Sequence, residues 1–153
     1  MTDLLAASPR WVQLLDDEQG LTVLELDEGA VDGAPWAGFG VQLTVSVDLQ
    51  DPDEQGQPYA EEHEVLAAFR RVLEQALNGH GRVVATITMD GVREHVAYVR
   101  SDDVVAAWRD APPAGFGTHD AQVQLLEDPR WLGLREIAGL LGEQEEPLRP
   151  PLD

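Results

Sequence analysis

Two runs of alternating apolar and polar residues, joined by Asp90-Gly91, constrain the fold of this chain more than any other stretch. Asp-Gly between two such runs indicates a two-residue type I′ turn, because that turn needs a positive φ at both central residues and these residue types tolerate it. The sequence therefore predicts a β-hairpin from Arg82 to Arg100. We expect the other elements to pack on this hairpin or beside it.

The turn also fixes which side chains share a face of the hairpin, once Met89 is paired with Val92. One face is apolar apart from Glu94, and it consists of Val83, Ala85, Ile87, Met89, Val92, Val96 and Tyr98. The other face is mixed, and it consists of Arg82, Val84, Thr86, Thr88, Arg93, His95, Ala97 and Val99. We therefore expect a lid over the apolar face and solvent on the mostly polar face.

A strand and a long helix precede the hairpin. Val41 to Leu49 alternates strictly between apolar and polar residues, which predicts a strand. From about Tyr59 the period becomes helical, and Asn78-Gly79 supplies a C-terminal stop. The apolar stripe of this helix consists of Val65, Leu66, Phe69, Val72, Leu73, Ala76 and Leu77. We predict that the helix is the main lid over the apolar sheet face.

Shorter elements are predicted towards both ends of the chain. Trp11 to Leu15 and Leu21 to Leu26 have the pattern of two strands around a short polar turn, and Asp27 to Gly40 fits no periodic template. Ser101 is expected to cap a helix that ends at Pro112-Pro113. Ala121 to Leu126 is predicted to be a strand.

The last predicted helix has clear start signals. Asp128 suits the N-cap position and Pro129 the first helical position, and we expect the helix to end at Gly142. Its apolar side would consist of Trp131, Leu134, Ala138 and Leu141.

The order of elements from Val41 is strand, helix, strand, strand, helix, strand. With right-handed crossovers this order predicts an α+β fold, a ferredoxin-like split βαβ sandwich with an N-terminal strand pair and a C-terminal helix. The strand pair would extend the sheet or fold across it. We expect one domain over residues 11–142, with flexible termini at residues 1–10 and 143–153.

The charge balance limits the partners of the chain. Asp and Glu number 29 against 10 basic residues, all of them Arg, so that the net charge is -19. A negative field of this size repels phosphate backbones and anionic membranes and attracts basic proteins. We therefore expect no nucleic acid and no membrane partner. Two interpretations stay open: the acidity recruits a basic partner, or it keeps the protein soluble.

The compartment is inferred from residue types that are missing. The chain has no cysteine, so it has no thiol redox chemistry and no sign of an oxidising compartment. Its opening residues are too acidic for a secretory signal, and no apolar run reaches the roughly 18 residues of a membrane span. A cytoplasmic location is the expectation.

The polar sheet face supplies the candidate binding residues. They are Gln42, Thr44, Ser46, Thr86, Thr88, Arg93, His95, Gln122 and Gln124. His95 could act there as a general base, although the sequence fixes no carboxylate partner for it. No serine lies in a nucleophile motif, and no catalytic residue is predicted.

Residues from Asp51 to Glu62 have the oxygen-ligand spacing of a calcium loop, with Gly56 at the sharp turn. A strand rather than a helix precedes this segment, and Pro58 stands where such a loop normally has an apolar residue. We therefore interpret it as an acidic strand-to-helix connection, and predict no metal and no cofactor.

Several of these motifs resemble one family. The Trp that opens the strand pair, the acidic Gly-Gln-Pro loop before the long helix, the Arg-flanked hairpin and the run Glu127-Asp128-Pro129-Arg130-Trp131 resemble the bacterial proteins catalogued as domain of unknown function 695. The layout is also similar to regulator of ribonuclease E activity B, a small acidic inhibitor. The resemblance spans about Trp11 to Leu141. It implies the sandwich fold and a protein-binding role, and it implies no catalytic residues.

Two classes of function follow as hypotheses. The first is a cytoplasmic, non-enzymatic protein-binding or regulatory module, inhibitor-like, whose partner is a basic protein such as a nuclease. The alternative is a small-molecule or metal-dependent enzyme with its site on the polar sheet face around His95. A homodimer through the uncovered sheet face is compatible with either.

Overall fold

In the described part of the chain, the protein has an α+β fold built on one antiparallel sheet of six strands. A computed structural model describes residues 4–16, 21–101, 103–106, 108 and 119–139. The strands are β1 (Trp11–Asp16), β2 (Thr22–Asp27), β3 (Val41–Asp48), β4 (Gly81–Met89), β5 (Val92–Val99) and β6 (Ala121–Glu127). The helices are α1 (Glu28–Asp32), α2 (Ala60–Ala76), α3 (Asp103–Ala106) and α4 (132–139), and a 3-10 helix, Leu4–Ala6, precedes β1. The strand order is β1-β2-β4-β5-β3-β6.

The central hairpin is confirmed in its turn and its register. Asp90 and Gly91 have φ values of 51° and 78°, as a type I′ turn requires, and Met89 pairs with Val92. A bulge interrupts the pairing further along β4, where Val83 lies opposite Ala97 and Ala85 lies opposite Val96. Because a bulge adds one residue to one strand, Val83 changes face relative to a strict alternation.

Helix α2 covers the sheet face opposite to the one that the sequence predicts. The apolar side chains of β3 are in register with Arg93, His95, Ala97 and Val99 of β5, so these residues lie under the helix. The core on this side consists of Leu43, Val45, Val47, Leu49, Leu66, Phe69, Leu73, Leu77, Val83, Ala97 and Val99. The prediction that Ala85, Val96 and Tyr98 face α2 is therefore wrong, because β3 determines which hairpin face α2 covers.

The sheet face away from α2 is also buried over the hairpin. Neither face of the hairpin is therefore open, and the prediction of a solvent-facing polar face is wrong. The core on the side away from α2 consists of Leu4, Leu24, Leu26, Ala30, Phe39, Val84, Ala85, Val96, Tyr98, Trp131 and Leu134. The sheet contributes Leu24, Leu26, Val84, Ala85, Val96 and Tyr98 to this core. The other members come from the N-terminal segment, α1, the loop after it, Trp131 and α4, which pack on the side away from α2. The hairpin lies between two layers because both of its faces carry apolar side chains.

Helix α4 begins later than its capping signal predicts. Pro129 lies in a turn, Trp131 has a φ of 59°, and the helix begins at residue 132. The carboxylate of Asp128 still caps it, accepting hydrogen bonds from the backbone N–H groups of Leu132 and Gly133. The predicted end at Gly142 lies outside the described residues.

The N-terminal strand pair extends the sheet beyond β4 and does not fold across it. Residues before β1 pack on the sheet, since Leu4 is completely buried. Arg82 donates hydrogen bonds to the carbonyl groups of Leu4 and Ala7 and forms a salt bridge with buried Asp27. Asp27 also caps α1, accepting a hydrogen bond from the N–H of Gly29, within a stretch for which the sequence predicts no element.

The position of α2 and the start of α3 match the sequence predictions. Helix α2 lies within the predicted range, and the hydroxyl of Ser101 accepts a hydrogen bond from the N–H of Asp103 at the start of α3. The predicted end of this helix at Pro112-Pro113 and the acidic segment at residues 143–153 lie outside the described residues. In the described part of the chain, no helix is long and apolar enough to cross a membrane.

Candidate functional site

The nine candidate binding residues lie on two opposite faces of the sheet. Five of them, Gln42, Thr44, Ser46, Gln122 and Gln124, lie on the face away from α2, together with Glu94. We call these six residues the polar shelf. The other four, Thr86, Thr88, Arg93 and His95, lie on the face under α2 and form a buried polar cluster. The single polar face of the sequence prediction is therefore two separate sites.

The polar shelf crosses the three strands at one end of the sheet. Ser46 of β3 pairs with Glu94 of β5 on one side and with Gln122 of β6 on the other. The hydroxyl of Ser46 donates a hydrogen bond to the Glu94 carboxylate over 3.3 Å. Gln122 and Gln124 are exposed on β6, which is an edge strand of the sheet. The shelf thus presents amide and carboxylate groups to solvent beside β6, which is the edge strand of the sheet in the described part of the chain.

His95 is almost completely buried in the polar cluster, with 1% of its surface exposed. Its ring stacks on Phe69 of α2, with 6.0 Å between the ring centroids, and its Nδ1 lies 2.9 Å from the hydroxyl of Thr86. Its buried Nε2 has no hydrogen-bond partner among the residues that the structure describes. Burial first, and then the positive charges of Arg70 and Arg93, lower the pKa of His95 to about 3. The imidazole is therefore neutral near pH 7.

Arg93 lies beside His95 under the N-terminal half of α2, with 7% of its surface exposed. Its Nε donates a hydrogen bond to the hydroxyl of Thr88 over 2.8 Å, and its Nη2 lies 3.5 Å from Nδ1 of His63. Among the described residues, no carboxylate lies within 4.0 Å of this guanidinium group. Burial lowers the pKa of Arg93, and the nearby charges of Glu25 and Arg70 act on it in opposite directions.

A second polar arrangement, on the other side of α2, has no signal in the sequence. Nε2 of His119 lies 2.7 Å from the carboxylate of Glu62, and both side chains are largely buried. They line a cleft of about 270 Å³, whose other lining residues are Gln50, Asp51, Tyr59, Glu61 and Val65. Sequence reasoning missed this pair because 57 residues separate its members and only the fold brings them together.

The carboxylates of the calcium-like segment are bonded to the backbone. The carboxylate of Glu62 accepts hydrogen bonds from the N–H groups of Gln50 and Asp51, and that of Asp53 accepts them from Gln55 and Gln57. Burial alone would raise the pKa of Glu62, but these hydrogen bonds and the one to His119 lower it. The described residues contain no group of three or more His, Asp or Glu that could hold a metal ion.

Comparison with known proteins identifies one family. Residues 11–136 match the family model described as "Family of unknown function (DUF695)". No curated protein and no solved structure matches the chain.

Proposed function

The chain belongs to the family of unknown function DUF695, and we propose that it is a non-enzymatic, acidic protein-binding module of a regulatory, inhibitor-like kind. The observation that carries the proposal is the polar shelf, which presents hydrogen-bonding side chains beside the β6 edge of the sheet. The partner is a basic protein, such as a nuclease, because the chain has a net charge of -19. Nucleic acid and anionic membranes are not partners, since the same field repels them.

The chemistry of the shelf suits lysine and arginine side chains. The carboxylate of Glu94 and the amide oxygens of Gln122 and Gln124 are acceptors, and both glutamines are exposed. Ammonium and guanidinium groups have only donors, so they complement a row of acceptors. Long-range attraction by the whole chain would raise the rate of encounter, and the shelf would fix the orientation of the complex.

An enzyme built around His95 has weaker support. A general base must reach the proton that it abstracts, and His95 is covered by α2 with 1% of its surface exposed. Its low pKa makes it a weak base at neutral pH.

The proposal extends to the fold class and to the cellular location of the protein. The strand order β4-β5-β3-β6, with α2 joining β3 to β4, supports a ferredoxin-like split βαβ unit to which β2 and β1 are added. The layout supports the inhibitor-like role, and the lack of cysteine supports a cytoplasmic location.

The test compares two variants of equal net charge. Gln122→Arg with Gln124→Arg places two positive charges on the shelf, whereas Gln75→Arg with Gln55→Arg places two on exposed positions elsewhere. A basic partner is captured on the immobilised wild-type protein, purified, and titrated against each variant. We expect the shelf variant to lose at least about tenfold in affinity through like-charge repulsion, and the control to lose less.

Equal affinities of the two variants for the partner would exclude the polar shelf as the binding surface. Thermal denaturation of both variants checks that the substitutions leave the fold intact.

A further inference from the structure

Arg93 is a buried cation, and among the described residues no carboxylate lies within 4.0 Å of its guanidinium group. Transfer of a charged group out of water is costly unless the charge is paired, and buried arginines are normally held by carboxylates. Arg93 contacts the hydroxyl of Thr88 and the ring of His63, and neither group is an anion. Arg93 can therefore accept an anion that the protein itself does not supply.

The buried polar cluster around Arg93 has further hydrogen-bonding groups to offer. The hydroxyls of Thr86 and Thr88 lie on the same face of β4 as each other. Nε2 of His95, which has no hydrogen-bond partner among the described residues, lies deeper under α2, where a bound ligand would not contact it. The guanidinium of Arg70 adds a second positive charge that acts on both Arg93 and His95. Arg70 also lies 3.8 Å from the carboxylate of Glu74, and Glu25 and Glu62 act on Arg93 through their charges.

The cluster borders a strip of sheet that α2 leaves open. The strip begins on β2 with Val23 and Glu25, which are half-buried and pair with the buried Thr88 and Thr86 of β4. The strip continues on β1 with Trp11, Gln13 and Leu15, which are exposed.

Arg93 and Arg70 both reach from the cluster towards this strip. The Arg93 guanidinium extends from β5 over β4 to Thr88, and β4 lies next to the strip. The Arg70 guanidinium lies 4.3 Å from the centroid of the Trp11 ring.

We propose that this strip binds a small oxyanion, a carboxylate or a phosphate group, through the guanidinium of Arg93. A guanidinium fork donates two parallel hydrogen bonds to either group. Arg70 adds attraction, and exposed Trp11 supplies an apolar surface for the remainder of a ligand. This site lies on the opposite face of the sheet from the polar shelf, and the proposal does not depend on the protein-binding function.

Glu25 is the carboxylate that a bound anion would face on β2. It raises the pKa of Arg93 through its charge, as does Glu62, but neither lies within 4.0 Å of the guanidinium. An incoming anion is therefore repelled by Glu25 while Arg93 attracts it. Removal of the Glu25 charge should tighten anion binding, whereas removal of the Arg93 charge should abolish it.

Nuclear magnetic resonance of the ¹⁵N-labelled full chain tests the proposal directly. Sodium phosphate and sodium acetate are each titrated into the wild-type protein, with sodium chloride at equal ionic strength as the reference. We expect saturable shifts of the Arg93 Nε–H signal and of the nearby backbone amides with at least one of the two oxyanions. A response to phosphate alone assigns a phosphate group as the ligand, and a response to acetate alone assigns a carboxylate.

Charge-neutralising variants then separate a binding role from a structural one. We expect Glu25→Gln to lower the Kd several-fold, and Arg70→Gln to raise it several-fold. Arg93→Gln should abolish saturation. Arg71→Gln, next to Arg70 on α2 but exposed, is the matched control and should leave the Kd unchanged.

Shifts that match those in chloride would overturn the proposal, since Arg93 would then bind neither oxyanion. Equal Kd values for Glu25→Gln, Arg70→Gln and Arg71→Gln would also contradict it. These comparisons need only variants at partly or fully exposed positions, so they remain decisive if Arg93→Gln fails to fold.

Discussion

The imidazole of His95 is stacked on Phe69 and bonded to Thr86 in a position that water does not reach. Burial lowers its pKa to about 3 in the folded chain, against about 6.5 in the unfolded chain. The unfolded chain therefore binds one more proton between these values. The stabilisation by neutral His95 is complete above about pH 6.5 and is lost as the pH falls towards about 3.

We predict that His95 makes the protein sensitive to mild acid. The difference in the His95 pKa between the folded and the unfolded chain should by itself lower the free energy of unfolding by roughly 1.5 kcal/mol as the pH falls from about 6.5 to about 5. Urea unfolding across this range should show a shallower pH dependence in His95→Gln than in the wild type. His80→Gln, at an exposed position between α2 and β4, should keep the wild-type slope. Parallel pH profiles for all three proteins would contradict the burial of a neutral His95.

Asp128 joins α4 to the sheet by three hydrogen bonds. Its carboxylate accepts them from the hydroxyl of Tyr98 over 2.7 Å and from the N–H groups of Leu132 and Gly133. Burial alone would raise the pKa of Asp128, but these hydrogen bonds lower it. The Tyr98 ring stacks on Trp131 just before the helix, with 3.8 Å between the centroids.

We predict that Asp128→Ala lowers the free energy of unfolding by about 1 to 3 kcal/mol, because it leaves a buried hydroxyl and two helix N–H groups without their acceptor. Asp120→Ala, which removes an exposed carboxylate nearby, is the control and should cost less than about 0.5 kcal/mol. Both values come from denaturant titrations at one pH. Equal losses for the two variants would show that the Asp128 hydrogen bonds do not hold α4.

At the scale of elements, the turn of the central hairpin packs against the loop before α2. Gly91 donates a backbone hydrogen bond to the carbonyl of Gly56 over 3.0 Å, and both glycines have positive φ values. A Cβ on Gly56 would lie 2.8 Å from the backbone nitrogen of Asp90, whereas one on Gly91 would meet only Pro52 at 3.5 Å. A side chain is therefore harder to accommodate at Gly56, in the loop, than at Gly91, in the turn.

We predict that Gly91→Val costs about 1 to 3 kcal/mol, because a β-branched residue is strained at positive φ. Gly91→Ala should cost less than Gly91→Val, and Gly56→Ala should cost more than Gly91→Ala, because it adds a backbone clash to the same strain. Thermal and urea unfolding of the three variants measure this order. A smaller loss for Gly56→Ala than for Gly91→Ala would contradict the contact between loop and turn.

Elements with strong local signals were predictable, and their packing was not. Asp90-Gly91 and the apolar stripe of α2 specify a turn and a helix through neighbouring residues alone. The bulge at Val84 has no local signal, and one extra residue is enough to change the face of Val83. The late start of α4 depends on Trp131 docking on Tyr98, a contact between residues distant in sequence.

At the scale of the whole molecule, the candidate sites follow from which layer covers which part of the sheet. The sequence predicted nine polar residues on a single sheet face, but it could not separate the polar shelf from the cluster under α2, because that depends on the packing of α2 and α4. The sequence could not predict the contact between Glu62 and His119 either, because it also depends on how the elements pack. The net charge of -19 is a property of composition alone, and it carries the prediction about partners.

The most direct test of the proposed function is the salt dependence of association between the wild-type chain and a captured basic partner. Surface plasmon resonance measures the association and dissociation rates as ionic strength rises past about 0.15 M, where the Debye length is about 8 Å. We predict an association rate that falls steeply with salt, a dissociation rate that changes little, and slower association for the shelf variant than for its matched control. Association rates that are independent of salt and equal in both variants would contradict an acidic protein-binding module.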